Sequence, residues 1–115
     1  MDLPPILVSH VSAADALHEL SLPADHPVFR GHFPGRPVLP GVAQIDWAVR
    51  LAARAWGLPE VARDFQVKFR NVIPPGVPVA LALRYDRTKR QLHFEYRSDD
   101  RVMSSGRIAV EEPRA

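Results

Sequence analysis

The sequence contains no cysteine, so neither a disulfide nor a thiolate metal site can form. That absence fits a reducing cytoplasm. No uninterrupted apolar run approaches the roughly 20 residues of a membrane span. The start, Met1-Asp2-Leu3-Pro4-Pro5, lacks the basic residues and apolar stretch of a signal peptide. The expectation is a soluble, cytoplasmic protein with no membrane partner. There is no Gly-rich phosphate loop and no Gly-x-Ser-x-Gly nucleophile elbow. No two of the five histidines have His-x-x-x-His spacing, and without cysteine no metal site is expected.

Charge of one sign is also scarce in sum. The formal net charge is +2, although Lys and Arg number 15. Arg84, Arg87, Lys89, Arg90, Arg97, Arg101 and Arg107 crowd the second half. Two readings stand: a solvated strand surface with ordinary turns, or a landing surface for an acidic partner. The small net charge and the lack of a recognised DNA- or RNA-binding motif argue against nucleic acid.

At 115 residues, one domain spanning 1–115 is the default. A chain with 46% hydrophobic residues can build a core, but a domain this small buries a limited fraction of its surface. A dimer would add buried area, so an oligomer is expected.

What the chain has in plenty is proline. Pro23, Pro27, Pro34, Pro37 and Pro40 fall within residues 23–40, where no regular element is expected. This is a long, stiff loop, and such loops tend to be functional. Before it, Ile6-Leu7-Val8 reads as a strand, Ser12 to Asp15 as a turn, and Ala16 to Leu22 as a second strand. After it, Gly41 to Trp56 reads as a helix. Val42, Ile45, Val49, Ala52 and Trp56 repeat at steps of three and four, and Ala48, Ala53 and Ala55 leave most of its surface small and apolar. Such a helix is expected to be buried on most sides. Gly57 supplies its stop, and Pro59 follows.

The period then changes to two. Phe65, Val67 and Phe69 alternate with Gln66, Lys68 and Arg70. Beyond the Pro74-Pro75-Gly76 turn, Val77 to Tyr85 alternates again, then Leu92, Phe94 and Tyr96. Arg101 to Glu111 makes a final strand. One apolar helix is all that can cover the inward face of these strands, so a curved sheet around a central helix follows.

His10, His18, His26 and His93 have no partner at a telling spacing and are read as structural or surface residues. His32 sits on the stiff loop beside a helix start. It is either a proton-transfer group or a satisfied histidine in a proline-rich turn, and the residues alone leave both open. Asp46 has two readings as well. Asp46, Arg50 and Arg54 could form an ion-pair stripe on an exposed face. Otherwise Asp46 is an acid on a buried helix, where a raised pKa suits acid catalysis. The free N–H groups at the helix start suit a carbonyl oxygen gaining negative charge. Gly41 and Asp46 lie about 7.5 Å apart along a helix axis and roughly 140° around it, so one substrate reaches both awkwardly. A second copy of the helix relaxes that constraint.

The run His32-Phe33-Pro34-Gly35-x-Pro37-x-x-Pro40-Gly41-Val42, followed by Asp46, closely resembles the signature of the (3R)-hydroxyacyl-acyl-carrier-protein dehydratases of bacterial fatty-acid synthesis. The resemblance implies an α+β hot-dog fold, an antiparallel sheet wrapped around one long central helix. It implies that His32 removes the α-proton of a 3-hydroxyacyl thioester and that the Gly41 amide holds the thioester oxygen. Asp46, brought by the central helix of a second subunit, protonates or orients the departing hydroxyl. Phe33, Pro34, Gly35, Pro40 and Val42 complete the substrate loop. No cofactor is implied. The implied partners are an acidic acyl-carrier protein, met by the arginine-rich surface, and a second copy in a homodimer, with a heterodimer as the variant.

Three departures stand out. Asp46 occupies a position where one branch of that family has Glu and another Asp. Arg50 stands where Gln is common, and a cation at that range would lower the pKa of Asp46 unless it points elsewhere. The chain also starts at its first strand, without the usual N-terminal helix. Together they suggest a divergent member serving a specialised acyl or polyene pathway. Two rival readings remain: a thioester hydrolase on the same fold, and a non-catalytic acyl-binding or stabilising subunit.

Overall fold

The computed structural model describes residues 2–30 and 35–111. Strands β1 (Ile6–Val11) and β2 (Asp15–Leu20) precede helix α1 (Gly41–Trp56). Strands β3 (Arg63–Phe69), β4 (Val79–Asp86), β5 (Gln91–Ser98) and β6 (Arg101–Ala109) follow it. All six form one antiparallel sheet in the order β1-β2-β4-β5-β6-β3, with α1 against its inner face. This is the hot-dog arrangement.

Alternation explains the sheet's centre. Leu81, Leu83 and Tyr85 of β4 stand opposite Tyr96, Phe94 and Leu92 of β5, and all six side chains are buried on one face. Onto them α1 lays Ala43, Gln44, Trp47, Ala48, Leu51 and Ala52, all buried. The helix is buried over most of its circumference, as its alanine-rich surface suggests, but one stripe stays open. Val42 is 62% exposed, and Ile45, Asp46 and Arg50 are only partly covered. The reason is geometric: one curved sheet reaches one side of a helix. At the far end Gly57 takes φ 69° and returns its N–H to the Ala53 carbonyl at 2.8 Å, a left-handed stop that glycine adopts without strain.

The proline-rich segment holds one regular piece after all, a single 3-10 turn over Pro27–Phe29. Proline is tolerated at its first position, where the missing N–H costs nothing. His26 caps it, its Nδ1 accepting from the Val28 N–H at 3.0 Å. Nε2 therefore carries the proton and donates to the Leu3 carbonyl at 3.3 Å, while the ring meets Trp47 edge-on. The Trp47 and Trp56 indoles in turn donate to the carbonyls of Asp2 and Ser12. The second strand stops at Leu20 rather than Leu22, though Leu22 stays in the core.

The outermost strand β3 depends on one glycine. A Cβ at Gly106 would stand 2.6 Å from the Gln66 carbonyl oxygen and 2.7 Å from the Phe94 ring. Backbone cannot give way there, so Gly106→Ala is expected to destabilise the fold by about 1–3 kcal/mol in urea or thermal unfolding.

His18 supplies a second test. Its Nδ1 shares a 2.8 Å hydrogen bond with Ser9 Oγ, while Nε2 is buried with no partner among the described residues. Burial holds its pKa below the ordinary histidine value. The folded state thus resists a proton that the unfolded chain accepts. The contribution is complete above about pH 6.5 and falls as pH drops below that value. His18→Gln should flatten the decline in Tm between pH 7 and pH 5.

Candidate active site

The uncovered face of α1 and the inner face of β3 enclose a mostly apolar groove of about 380 Å³. Gly41, Val42, Ile45, Asp46 and Val49 come from the helix, and Phe65 and Phe69 from β3, with Glu60 and Ala62 between them in sequence. Val42, Ile45, Asp46 and Val49 share one helical face by their three- and four-residue spacing. Gly41 joins them because it has no side chain. A Cβ there would lie 2.6 Å from the Phe69 ring, which rests on the helix start. The structure therefore brings Gly41, Val42 and Asp46 into one groove of one chain, closer in access than the helical wheel suggests.

The helix start carries no side-chain cap. Pro40 is the N-cap residue, and its carbonyl accepts from the amides of Ala43 and Gln44 at 3.1 and 3.2 Å. The first-turn amides and the positive end of the helix dipole are what this groove offers an anionic oxygen.

Asp46 is 38% exposed, yet its Oδ2 is turned inward, buried and without a hydrogen-bond partner among the described residues. Arg50 does not point elsewhere: its Nη1 lies 3.8 Å from that oxygen, within ion-pair range but beyond a hydrogen bond. Arg54 is exposed and joins no ion pair among the described residues, so the expected stripe reduces to one pair. Asp46 also acts on the sheet beneath. Burial, and then the Asp46 charge, push the Tyr96 phenol well above its ordinary pKa, so it stays a donor. It donates to the Gln44 carbonyl at 2.7 Å.

Gln44 itself is buried and hydrogen-bonded at both ends of its amide. Nε2 donates to the Leu39 carbonyl at 3.1 Å, and Oε1 accepts from Ser104 Oγ at 2.6 Å. Sequence reasoning passed over Gln44, Tyr96 and Ser104. The available signal was an amide on the same helical stripe as Trp47, Ala48 and Leu51.

His32, Phe33 and Pro34 lie outside the described residues. Gly35 follows in an exposed turn at φ 84°, a conformation that favours glycine. Of the other histidines, His10 is exposed, His18 and His26 are held in the fold as described, and His93 lies on the sheet's outer face. Burial, reinforced by the Arg84 charge, lowers the His93 pKa.

The basic residues of the second half do not gather into one patch. Arg87 lies over the Tyr85 ring and donates to the Ala13 carbonyl, Arg97 pairs with Glu95, and Arg101 bonds Asn71. Arg84 and Arg107 do meet, joining Lys68 and Arg70 around His93 in a shallow trough on the outer face. Among the described residues, no helix is long and apolar enough to cross a membrane.

The family model of ApeI-like dehydratases matches residues 9–107. The chain belongs to the ApeI-like dehydratase family. Within solved structures, a chain of the dehydratase heterocomplex ApeI:P from Xenorhabdus doucetiae is 33% identical. It superposes with a TM-score of 0.88 over 97% of this chain and 100% of that one. An uncharacterised protein from Erwinia carotovora subsp. atroseptica is 32% identical, with a TM-score of 0.78 over 96% of this chain and 97% of that one. Among curated relatives, the 3-hydroxyacyl-[acyl-carrier-protein] dehydratase FabZ of Chloroflexus aggregans is 32% identical over 83 residues, 65% of this chain. The chain spans 58% of the length of that curated relative.

Contact between Gly41 and Phe69 makes a measurable coupling. Gly41→Ala alone should cost no more than about 1 kcal/mol, because the ring it crowds ends an exposed side chain that can turn aside. The same change in a Phe69→Ala background should cost at least about 0.5 kcal/mol less, measured by a double-mutant cycle of urea unfolding. Additive values would show that the ring does not rest on the helix start.

Proposed function

We propose that this chain dehydrates a 3-hydroxyacyl thioester to a trans-2-enoyl thioester. The observation that carries the reading is the groove that holds both an uncapped helix start at Gly41 and the Asp46 carboxylate, so that two facing copies would each lend the other an acid beside its helix start. Membership of a dehydratase family supports the same chemistry.

In the proposed reaction the His32 imidazole takes the α-proton. The electrons move toward the thioester oxygen, where the Gly41 amide meets the growing negative charge. The C–O bond at the β-carbon then breaks, and the hydroxyl leaves as water with a proton from Asp46. The imidazolium proton returns through solvent to the carboxylate. Acid–base groups of this kind contribute about 10²–10⁴-fold each, and an oxyanion donor roughly 3–4 kcal/mol. Phe33, Pro34, Gly35, Pro40 and Val42 shape the substrate's approach.

The proposed working unit is a dimer of one-domain chains, in which Asp46 reaches the site from the second chain. Support comes from β3, whose outer edge is unpaired among the described residues and whose Phe65 and Phe69 are exposed. A second chain laid along that edge would cover the open face of α1. The substrate is proposed to arrive on an acidic acyl-carrier protein, drawn by the basic residues around the sheet. A similar chain was solved as part of the heterocomplex ApeI:P, which favours a second version in which the partner is a different chain of the same fold. A purified protein with twice the chain's mass and full turnover would decide for identical copies. Activity arising only on addition of a second hot-dog chain would decide for the other.

His32→Ala and Asp46→Asn should each lower enoyl-thioester formation from a 3-hydroxyacyl carrier protein at least about 100-fold. Near-normal turnover in both would sink the assignment. Release of free thiol without enoyl product would indicate a hydrolase instead.

A further inference from the structure

We propose that Gln44 is a positioning residue that sets where the Gly41 amide points; its kinetic consequence rests on the dehydratase reading, while the positional claim does not. An oxyanion donor works only when aimed at the oxygen's position in the transition state, and a misplacement of about 1 Å can cost roughly 100-fold. Here that aim is difficult to hold. The helix start has no capping side chain, follows a proline-rich loop, and is flanked by an exposed Val42.

Gln44 solves this from one turn inside the helix. Its side chain reaches back past the N-terminus and donates to the Leu39 carbonyl. The N–H of Leu39 is already bonded to the Ile73 carbonyl at 2.7 Å. Leu39 is thus held by both of its backbone polar groups, two residues before Gly41. The other end of the Gln44 amide accepts from Ser104 on β6, and its own carbonyl accepts from Tyr96 on β5. One residue thereby ties the loop, the helix start and two central strands into one frame. Packing alone does not call for this. A buried amide carries a desolvation cost that a methionine of similar length would avoid. What methionine could not do is hold Leu39.

The test compares the purified wild type with Gln44→Met, Gln44→Asn, Ser104→Ala and Asp46→Asn. Two measurements are made: backbone amide hydrogen exchange, and kcat and KM with a 3-hydroxyacyl carrier protein. Gln44→Asn keeps an amide but is one methylene too short to reach Leu39, so it stands in if the methionine variant does not fold. For either Gln44 variant, exchange at the hydrogen-bonded amides of Leu39 and Ala43 should rise at least tenfold while β4 and β5 stay protected. The kcat should fall about 10–100-fold with KM within twofold. Ser104→Ala leaves the Leu39 bond intact and should change kcat less than threefold.

The proposal is overturned if exchange at the Leu39 and Ala43 amides matches wild type, or if KM rises while kcat holds. It is also overturned if Ser104→Ala is as damaging as the Gln44 variants. If wild type shows no turnover, or Asp46→Asn turns over normally, the dehydratase reading falls. The exchange comparison then still decides whether Gln44 holds the helix start.

Discussion

A single curved sheet can cover only one side of the helix it wraps, and the rest of this protein follows from that limit. Trp47, Ala48 and Leu51 take the covered side and fill the core. Val42, Ile45 and Asp46 take the other, which is nearly as apolar but only partly covered, with the buried Val49 at its margin. The edge strand β3 turns Phe65 and Phe69 toward that second side and makes a groove of what would otherwise be exposed helix. Burial and chemistry are thus divided between two faces of one element, and the helix start belongs to both.

The division also explains what the sequence revealed. Period-two alternation located β4 and β5 well because each buries one face against α1. The helix was equally plain from its three- and four-residue repeats, its Gly57 stop and the proline run before it. Its sidedness was not, because an alanine-rich helix presents a similar pattern on every face and only the sheet's reach breaks the tie. The 3-10 turn over Pro27–Phe29 was hidden by proline density, although proline is harmless at a first helical position.

The site was legible in unequal parts. Gly41 and Asp46 stood out through the loop and its spacing, and they do share a groove. Gln44, Tyr96 and Ser104 did not, because their connection exists only once β5 and β6 lie beneath the helix. No local spacing encodes a contact between residues so far apart in the chain. The arginine-rich second half misled in the opposite sense. Its residues look like one patch in sequence, yet Arg97, Arg101 and Arg107 are each hydrogen-bonded to a different neighbour, Glu95, Asn71 and Gln66. Only the strand register shows that Arg84 and Arg107 flank His93, where their charge weighs on its protonation.

Proline at position 40 bears on how stability and function trade against each other. Many helices are preceded by a serine, threonine or aspartate whose side chain satisfies an open amide of the first turn and adds about 1 kcal/mol. Pro40 leaves that stabilisation unused. On the proposed reading, the thioester oxygen is the missing cap, and it is strongest when it carries the charge of the transition state. An aspartate at this position would make a better helix and a worse enzyme. It would hold a permanent negative charge where the substrate must develop a transient one. The weak start of α1 then leaves its first amides available to the substrate, and selection for a more stable helix would run against turnover.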